Sequence, residues 1–111
     1  MATGNATPIL AKLQQVQTDF ELAVDSHQQL LSQLSENQQV QKEFSNLAPD
    51  ARIYKRTGPV LLPQDSVEAK SNVEKRIEYI RTELQRVEKR LEELGSKRDA
   101  IQNELVTSRQ Q

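Results

Sequence analysis

The chain has 111 residues, of which 35% are apolar, 4% aromatic and 28% charged. A globular core draws on about 45–50% apolar residues, so this composition disfavours a thick interior and suits a thin seam between helices. The 15 basic and 16 acidic residues leave a net charge of −1, which gives no strong field for nucleic acid or an anionic membrane. The sequence contains no cysteine, so neither a disulfide framework nor a thiolate metal site is expected.

Residues 1–8 are not expected to act as a targeting signal. Residues 1–8 lack the basic and apolar regions of a signal peptide, and no apolar run reaches the roughly 20 residues of a membrane span. We therefore expect residues 1–8 to form a disordered tail. A cytoplasmic location is expected, which also suits a chain without cysteine.

Residues 9–48 carry the heptad pattern of a coiled-coil helix, with apolar residues at alternating steps of four and three. The pattern weakens at Asn37 and Gln41. Pro49 disfavours helical geometry in the residue before it, so we expect the first helix to end near Leu47. The predicted seam consists of Ile9, Leu13, Val16, Phe20, Ala23, His27, Leu30 and Leu34.

Residues 51–63 are typical of a β-hairpin. Two short apolar or β-branched runs, Ile53–Lys55 and Val60–Leu62, flank the turn signal Gly58-Pro59. The second run is apolar on consecutive residues, so both faces of that strand need burial. An isolated two-stranded hairpin is marginal in water and has open edges. We expect strands of other chains to complete it, the alternative being that it folds onto the ends of its own helices.

Residues 65–107 are predicted to form the second coiled-coil helix, followed by a tail at residues 108–111. Asp65 and Glu68 have the spacing of a capping box. Gly95, Ser96 and Arg98 weaken the later part of the seam, which indicates either a compliant end or an arginine that packs its stem and keeps its head in water. The predicted seam consists of Val73, Ile77, Ile80, Leu84, Val87, Leu91, Leu94, Arg98, Ile101 and Leu105.

The predicted fold class is an all-α coiled coil with a small β element, namely an antiparallel two-helix coiled coil with one β-hairpin at the bend. The connection between the helices is too short to run back along either one, so they should be antiparallel. Matching Leu47 to Ser66 places Phe20 beside Leu94 and Val16 near Arg98. Both chain ends should then lie together.

No pattern of catalytic residues stands out. His27 is the sole histidine and occupies a seam position; we interpret it as a partly solvated packing residue. The sequence has no phosphate-binding glycine loop or metal-ligand spacing, and a pair of helices offers no concave catalytic pocket. We expect a protein that is not an enzyme and uses no cofactor.

The hairpin and the start of the second helix resemble the β-type prefoldin subunits. The heptads alone fit many coiled coils, so these motifs make the resemblance specific. It covers nearly the whole chain in architecture and residues 53–94 in motif. The residues that carry it are Tyr54-Lys55, Gly58-Pro59-Val60-Leu61, Glu68-Ala69, Asn72-Val73 and Lys75-Arg76.

The resemblance implies a hetero-hexamer of two α-type and four β-type subunits, whose hairpins close into β-barrels. It implies an ATP-independent co-chaperone that holds unfolded proteins, actin and tubulin among them, and delivers them to the cytosolic chaperonin. A coiled-coil scaffold or tether without chaperone activity is the alternative. The implied subunit-assembly surface is Ile53, Tyr54, Lys55, Val60, Leu61 and Leu62, and the implied client-binding surface is Ile9, Leu10, Leu13, Ile101, Leu105 and Val106.

Overall fold

The computed structural model describes residues 2–48 and 50–110, with only the helical backbone described for residues 2–5. Two long helices flank a β-hairpin: α1 (Ala2–Ser45), β1 (Ile53–Thr57), β2 (Val60–Gln64) and α2 (Ser66–Gln110). The predicted fold class is confirmed. Neither α1 nor α2, the helices of the described residues, combines the length and apolar character that crossing a bilayer needs.

The hairpin is antiparallel and has a two-residue turn. Its ladder pairs Ile53 with Gln64 at one end and Thr57 with Val60 at the other. Gly58 has a φ of 60°, a value open to glycine at little cost, and Pro59 is limited to a negative φ. A positive φ at the first turn residue alone defines a type II′ turn, whose twist matches that of the flanking strands.

The start of α2 is capped by the aspartate that the sequence indicates. The Asp65 carboxylate (Oδ1) accepts a hydrogen bond from the Val67 N–H at 3.1 Å, which satisfies one of the free amides of the first turn. Glu68 is exposed and makes no return bond to Asp65 within the described residues. The expected capping box is therefore only half formed, with the Glu68 carboxylate left in solvent.

The described chain divides into two compact units, the first of which spans residues 30–83. Here Ala69, Val73, Ile77 and Ile80 of α2 are buried, as the seam predicts for the last three. The Asn37 amide donates to the Gln33 carbonyl at 2.7 Å and accepts a hydrogen bond from Arg76 at 3.3 Å. The seam position that weakens the heptad pattern is thus hydrogen-bonded.

The second unit comprises residues 2–29 and 84–110. The helices run antiparallel within it, because Ile9 packs with Ile101 and Leu105 while His27 lies beside Glu88. Val16 is 2% exposed and belongs to the same cluster as Ile9. The expected association of the two chain ends is present in this unit.

The helices extend further toward both ends than the sequence predicts. α1 begins at Ala2, so residues 2–8 are helical where a tail is expected, and Met1 lies outside the described residues. Ala6 packs against the cluster of Ile9, Ile101 and Leu105, which favours helical geometry there. Similarly, α2 includes residues 108–110, and Ser108 is buried.

Two further boundaries differ slightly. α1 ends at Ser45 rather than residue 48, and the Asn46 N–H still bonds the Lys42 carbonyl at 3.2 Å; helix ends commonly fray over such a distance. The predicted helix-breaking role of Pro49 lies outside the described residues.

The side chain of Arg98 makes a contact that the alignment of the two helices does not predict. Arg98 reaches Phe20, and its guanidinium carbon lies 4.8 Å from the centroid of the Phe20 ring. Side chains on a helix lean toward its N-terminus. Because α1 and α2 are antiparallel, that lean carries Arg98 one turn toward the C-terminus of α1.

Candidate assembly and client-binding surfaces

All six residues of the predicted assembly surface lie in the hairpin, namely Ile53, Tyr54, Lys55, Val60, Leu61 and Leu62. Leu61 is 63% exposed, and Tyr54, Val60 and Leu62 are also exposed. Lys55 is exposed, and only Ile53 is half-buried. The alternative, in which the hairpin covers itself with its own helix ends, is not what the structure has.

Both faces of the hairpin carry apolar side chains. Residues directly opposite each other in an antiparallel pair lie on the same face. Lys55 and Leu62 therefore share one face with Val60, while Leu61 shares the other with Tyr54. A sheet of two strands with exposed apolar groups on both faces is poorly stabilised by itself, so this surface is suited to association.

A small cavity lies under the first residue of β1. It is lined by Leu47, Ala48, Ala51, Ile53, Ser66 and Lys70. Leu47 itself is 43% exposed, and Val67 in the first turn of α2 is exposed as well. Val67 lies off the heptad seam, so the seam does not predict it. The only sequence signal for Val67 is that it is an apolar residue at a non-seam position.

The residues of the predicted client-binding surface are partly buried and partly accessible. Ile9, Ile101 and Leu105 are buried in the seam, so they become accessible only if the helix ends separate. Leu10 is 43% exposed and Val106 is 54% exposed. The structure thus packs Ile9, Ile101 and Leu105 together with Leu13, and it leaves Leu10 and Val106 exposed.

A groove accompanies the exposed leucine. It is lined by Leu10, Leu13, Gln14, Gln17, Thr18, Glu21 and Gln102. Leu13 is half-buried here. Amide side chains around two leucines make a surface that offers apolar contact and flexible hydrogen bonding without a strong charge.

Ser108 is a seam residue that the sequence analysis missed. It is 8% exposed, and its hydroxyl has no hydrogen-bond partner in the part of the chain that the structure describes. Ser108 follows Leu105 by three residues, so continuing the heptad steps would have identified it.

His27 lies where the seam predicts, half-buried in the second unit. Its Nε2 is 3.3 Å from a Glu88 carboxylate oxygen. Among residues 2–48 and 50–110, no group of three or more His, Cys, Asp or Glu side chains is placed to hold a metal ion. The contact between His27 and Glu88 is therefore a polar link between the helices.

Comparison with solved structures agrees with this architecture. The prefoldin beta subunit from Thermococcus strain KS-1 superposes with a TM-score of 0.85 at 21% sequence identity, covering 94% of this chain and 91% of that one. At this level of identity the likeness concerns the fold: two long helices with a β-hairpin between them.

Sequence comparison identifies the family. The family model described as "Prefoldin subunit" matches residues 7–111. Prefoldin subunit 6 of Saccharomyces cerevisiae is 42% identical over 96 residues, or 86% of this chain and 84% of that protein. Prefoldin subunit 6 of Homo sapiens is 39% identical over 83 residues, or 75% of this chain and 64% of that protein.

The fold and these relatives define a hetero-oligomeric coiled-coil chaperone subunit. The chain belongs to the prefoldin family, and its resemblance to β-type subunits, of the subunit 6 kind, is confirmed.

Proposed function

We propose that this chain is the subunit-6-type β subunit of a hetero-hexameric prefoldin that acts as an ATP-independent holdase. It assembles with two α-type and further β-type subunits, captures unfolded proteins such as actin and tubulin, and passes them to the cytosolic chaperonin. In this role the protein is cytoplasmic and is not an enzyme.

The hairpin carries the assembly part of the proposal. Leu61 is 63% exposed in the single chain although it lies in a regular strand. Burying one leucine is worth about 1.5–3 kcal/mol, so an assembly that covers the leucines and valine of β2 gains substantial free energy. A scaffold or tether without chaperone activity gives no reason for such a strand between the two helices.

The paired helix ends carry the client part. Exposed Leu10 and Val106 offer apolar contact, and the last turns of a helix open at low cost in free energy. Weak contacts repeated on several subunits bind an unfolded chain through effective concentration. Each contact remains weak enough to release its client.

Sedimentation of the chain alone and mixed with the other prefoldin subunits tests the proposal. We expect it to associate weakly by itself and to enter a complex of defined size when the partners are added. That complex should suppress the aggregation of chemically unfolded actin without added ATP. A stable homodimer that ignores the partner subunits would support the scaffold alternative instead.

A further inference from the structure

Leu22 of α1 is an exposed leucine that lies outside the seam and outside both surfaces described above. It is 61% exposed, and the seam passes it by, since Phe20 and Ala23 are the seam residues on either side. Packing of α1 against α2 therefore does not account for a leucine at this position. A single exposed leucine is common on protein surfaces, but Leu22 borders a cleft.

The cleft lies between α1 and α2 within the second unit, away from the chain ends and from the hairpin. Its floor is apolar, because Val87 is 4% exposed and Ala23 is half-buried, and both belong to the seam. Leu22 and Ser26 form the α1 wall. The volume of about 240 Å³ is several times the roughly 30 Å³ that one water molecule occupies, so the cleft has room for a side chain.

The α2 wall of the cleft carries two arginines. Arg86 and Arg90 are both exposed, and residues four apart are neighbours on one face of a helix. Arg90 makes no hydrogen bond or ion pair with any residue that the structure describes. Among the described residues that line the cleft only Asp19 is acidic, and its Oδ1 accepts a hydrogen bond from the Gln15 amide at 3.0 Å. Two cations and one anion give the cleft a net positive charge.

The spacing of the two arginines matches that of alternate residues in an extended chain. The Cβ atoms of residues four apart on a helix are about 5–6 Å apart, and alternate side chains of an extended segment lie about 6–7 Å apart on one face. A guanidinium presents its N–H donors in a planar fork that suits a carboxylate. Two carboxylates at alternate positions can therefore face Arg86 and Arg90, while the residue between them points to the opposite wall, where Leu22 lies.

We propose that this cleft binds an extended segment of an unfolded client in which one apolar residue lies between two acidic ones. The inference rests on the proposed function, because an unfolded client is the partner that exposes extended segments. Leu22 contacts the apolar residue, and Arg86 and Arg90 bind the carboxylates. The groove beside Leu10 differs in charge: it is lined by Glu21, and none of the described residues that line it is basic. The cleft and the groove therefore select different segments of a client.

Methyl NMR of the assembled complex tests where such a segment binds. The full-length chain, labelled at its leucine and valine methyl groups, is reconstituted with the other prefoldin subunits and titrated with the peptide acetyl-Ser-Glu-Leu-Glu-Ser-amide. We expect the resonances of Leu22 and Val87 to shift and those of Leu10 and Val106 to stay. The same peptide with lysine in place of glutamate should leave Leu22 unchanged, because like charges repel. No shift at Leu22 with the acidic peptide, or equal shifts with both peptides, overturns the inference.

A matched pair of variants tests the role of the arginines. Arg90→Gln and Lys89→Gln each remove one positive charge from adjacent exposed residues, but Lys89 does not line the cleft. We expect Arg90→Gln to raise the Kd for the acidic peptide about three- to fivefold, the scale of an exposed ion pair, and Lys89→Gln to change it little. Leu22→Ser should also weaken binding, whereas Leu31→Ser, which lies in the other unit, should not. Equal losses within either pair overturn the inference; circular dichroism verifies that helicity is unchanged.

Two competitors test whether the occupant is a client. Inorganic phosphate at equal ionic strength should not displace the acidic peptide, since it has no apolar group for Leu22; displacement by phosphate would mark a general anion site and overturn the inference. Chemically unfolded actin should displace the peptide from Leu22. A complex that holds actin while the peptide stays bound overturns the inference and leaves the proposed function intact. A complex that does not suppress the aggregation of actin overturns the proposed function, and this inference with it.

Discussion

The guanidinium of Arg98 stacks over the ring of Phe20, with its central carbon 4.8 Å from the ring centroid. Arg98 is the one polar member of the predicted α2 seam, and a polar residue at such a position ordinarily lowers coiled-coil stability. Here a cation–π contact, worth about 0.5–1 kcal/mol at a partly exposed site, offsets part of that cost. Neither alternative for this segment predicts a guanidinium that packs on an aromatic ring, and compliance of the helix end stays a prediction.

A double-mutant cycle should detect this contact. Phe20→Leu and Arg98→Met each keep an apolar stem and remove one partner, so their combined effect should be smaller than the sum by about 0.5–1 kcal/mol. The measurement is the free energy of unfolding from denaturant titration followed by circular dichroism. Additivity within about 0.3 kcal/mol would show that the stacking contributes nothing.

The same glycine-to-alanine change should act differently at two positions. Gly95 lies inside α2, and an added Cβ would lie 3.9 Å from the Phe20 ring, an ordinary contact. Gly95→Ala should therefore stabilise the helix by about 1 kcal/mol and raise the thermal midpoint of helicity. If amides of residues 95–105 exchange as slowly as those of residues 77–91 in the wild-type complex, a compliant end is refuted.

Gly58→Ala should have the opposite effect to Gly95→Ala and destabilise the hairpin. No atom lies within 4 Å of an added Cβ there, but the φ of 60° remains, so the cost of about 1–2 kcal/mol comes from the backbone alone. We expect faster exchange of the Lys55 and Leu62 amides, which face each other across the hairpin, with helicity unchanged. Unaltered exchange at these amides would contradict the turn assignment.

Leu61→Asp should abolish incorporation into the prefoldin complex while preserving helical circular dichroism, because a charged group cannot enter an apolar interface without a large desolvation cost. Leu22→Asp is the control: Leu22 is 61% exposed against 63% for Leu61, but it lies on α1. Co-purification with the partner subunits is the measurement. If the Ile53→Asp, Leu61→Asp double variant still co-purifies, the hairpin is not the assembly surface.

Leu10→Ser together with Val106→Ser should weaken client capture without disturbing assembly, since both side chains are exposed at the helix ends. Because each hexamer makes several weak contacts with its client, weakening one contact per copy reduces the avidity. A higher concentration of the hexamer should then be needed to suppress client aggregation. Leu31→Ser provides the control, with 45% exposure against 43% for Leu10. Equal activity of the wild type and the double variant would argue against client binding at these two residues.

Heptad spacing alone predicted most of the helical architecture. The steps of three and four from Val73 to Leu105 identify side chains that are in fact buried or half-buried, and Gly58-Pro59 marks the turn of the hairpin. These features depend on local geometry, since a helix repeats every 3.6 residues and a II′ turn needs a positive φ at its first position. These features can therefore be predicted from the order of the residues.

Only the tertiary structure decided which predicted functional residues are accessible. Ile9 and Leu10 are neighbours of similar character, yet Ile9 is buried against Ile101 while Leu10 faces solvent. The contact between Arg98 and Phe20 likewise depends on the antiparallel lean of side chains from two helices. Heptad periodicity determines which face of a helix is apolar, but exposure and pairing depend on where the other helix lies, and that information is spread over residues far apart in the chain.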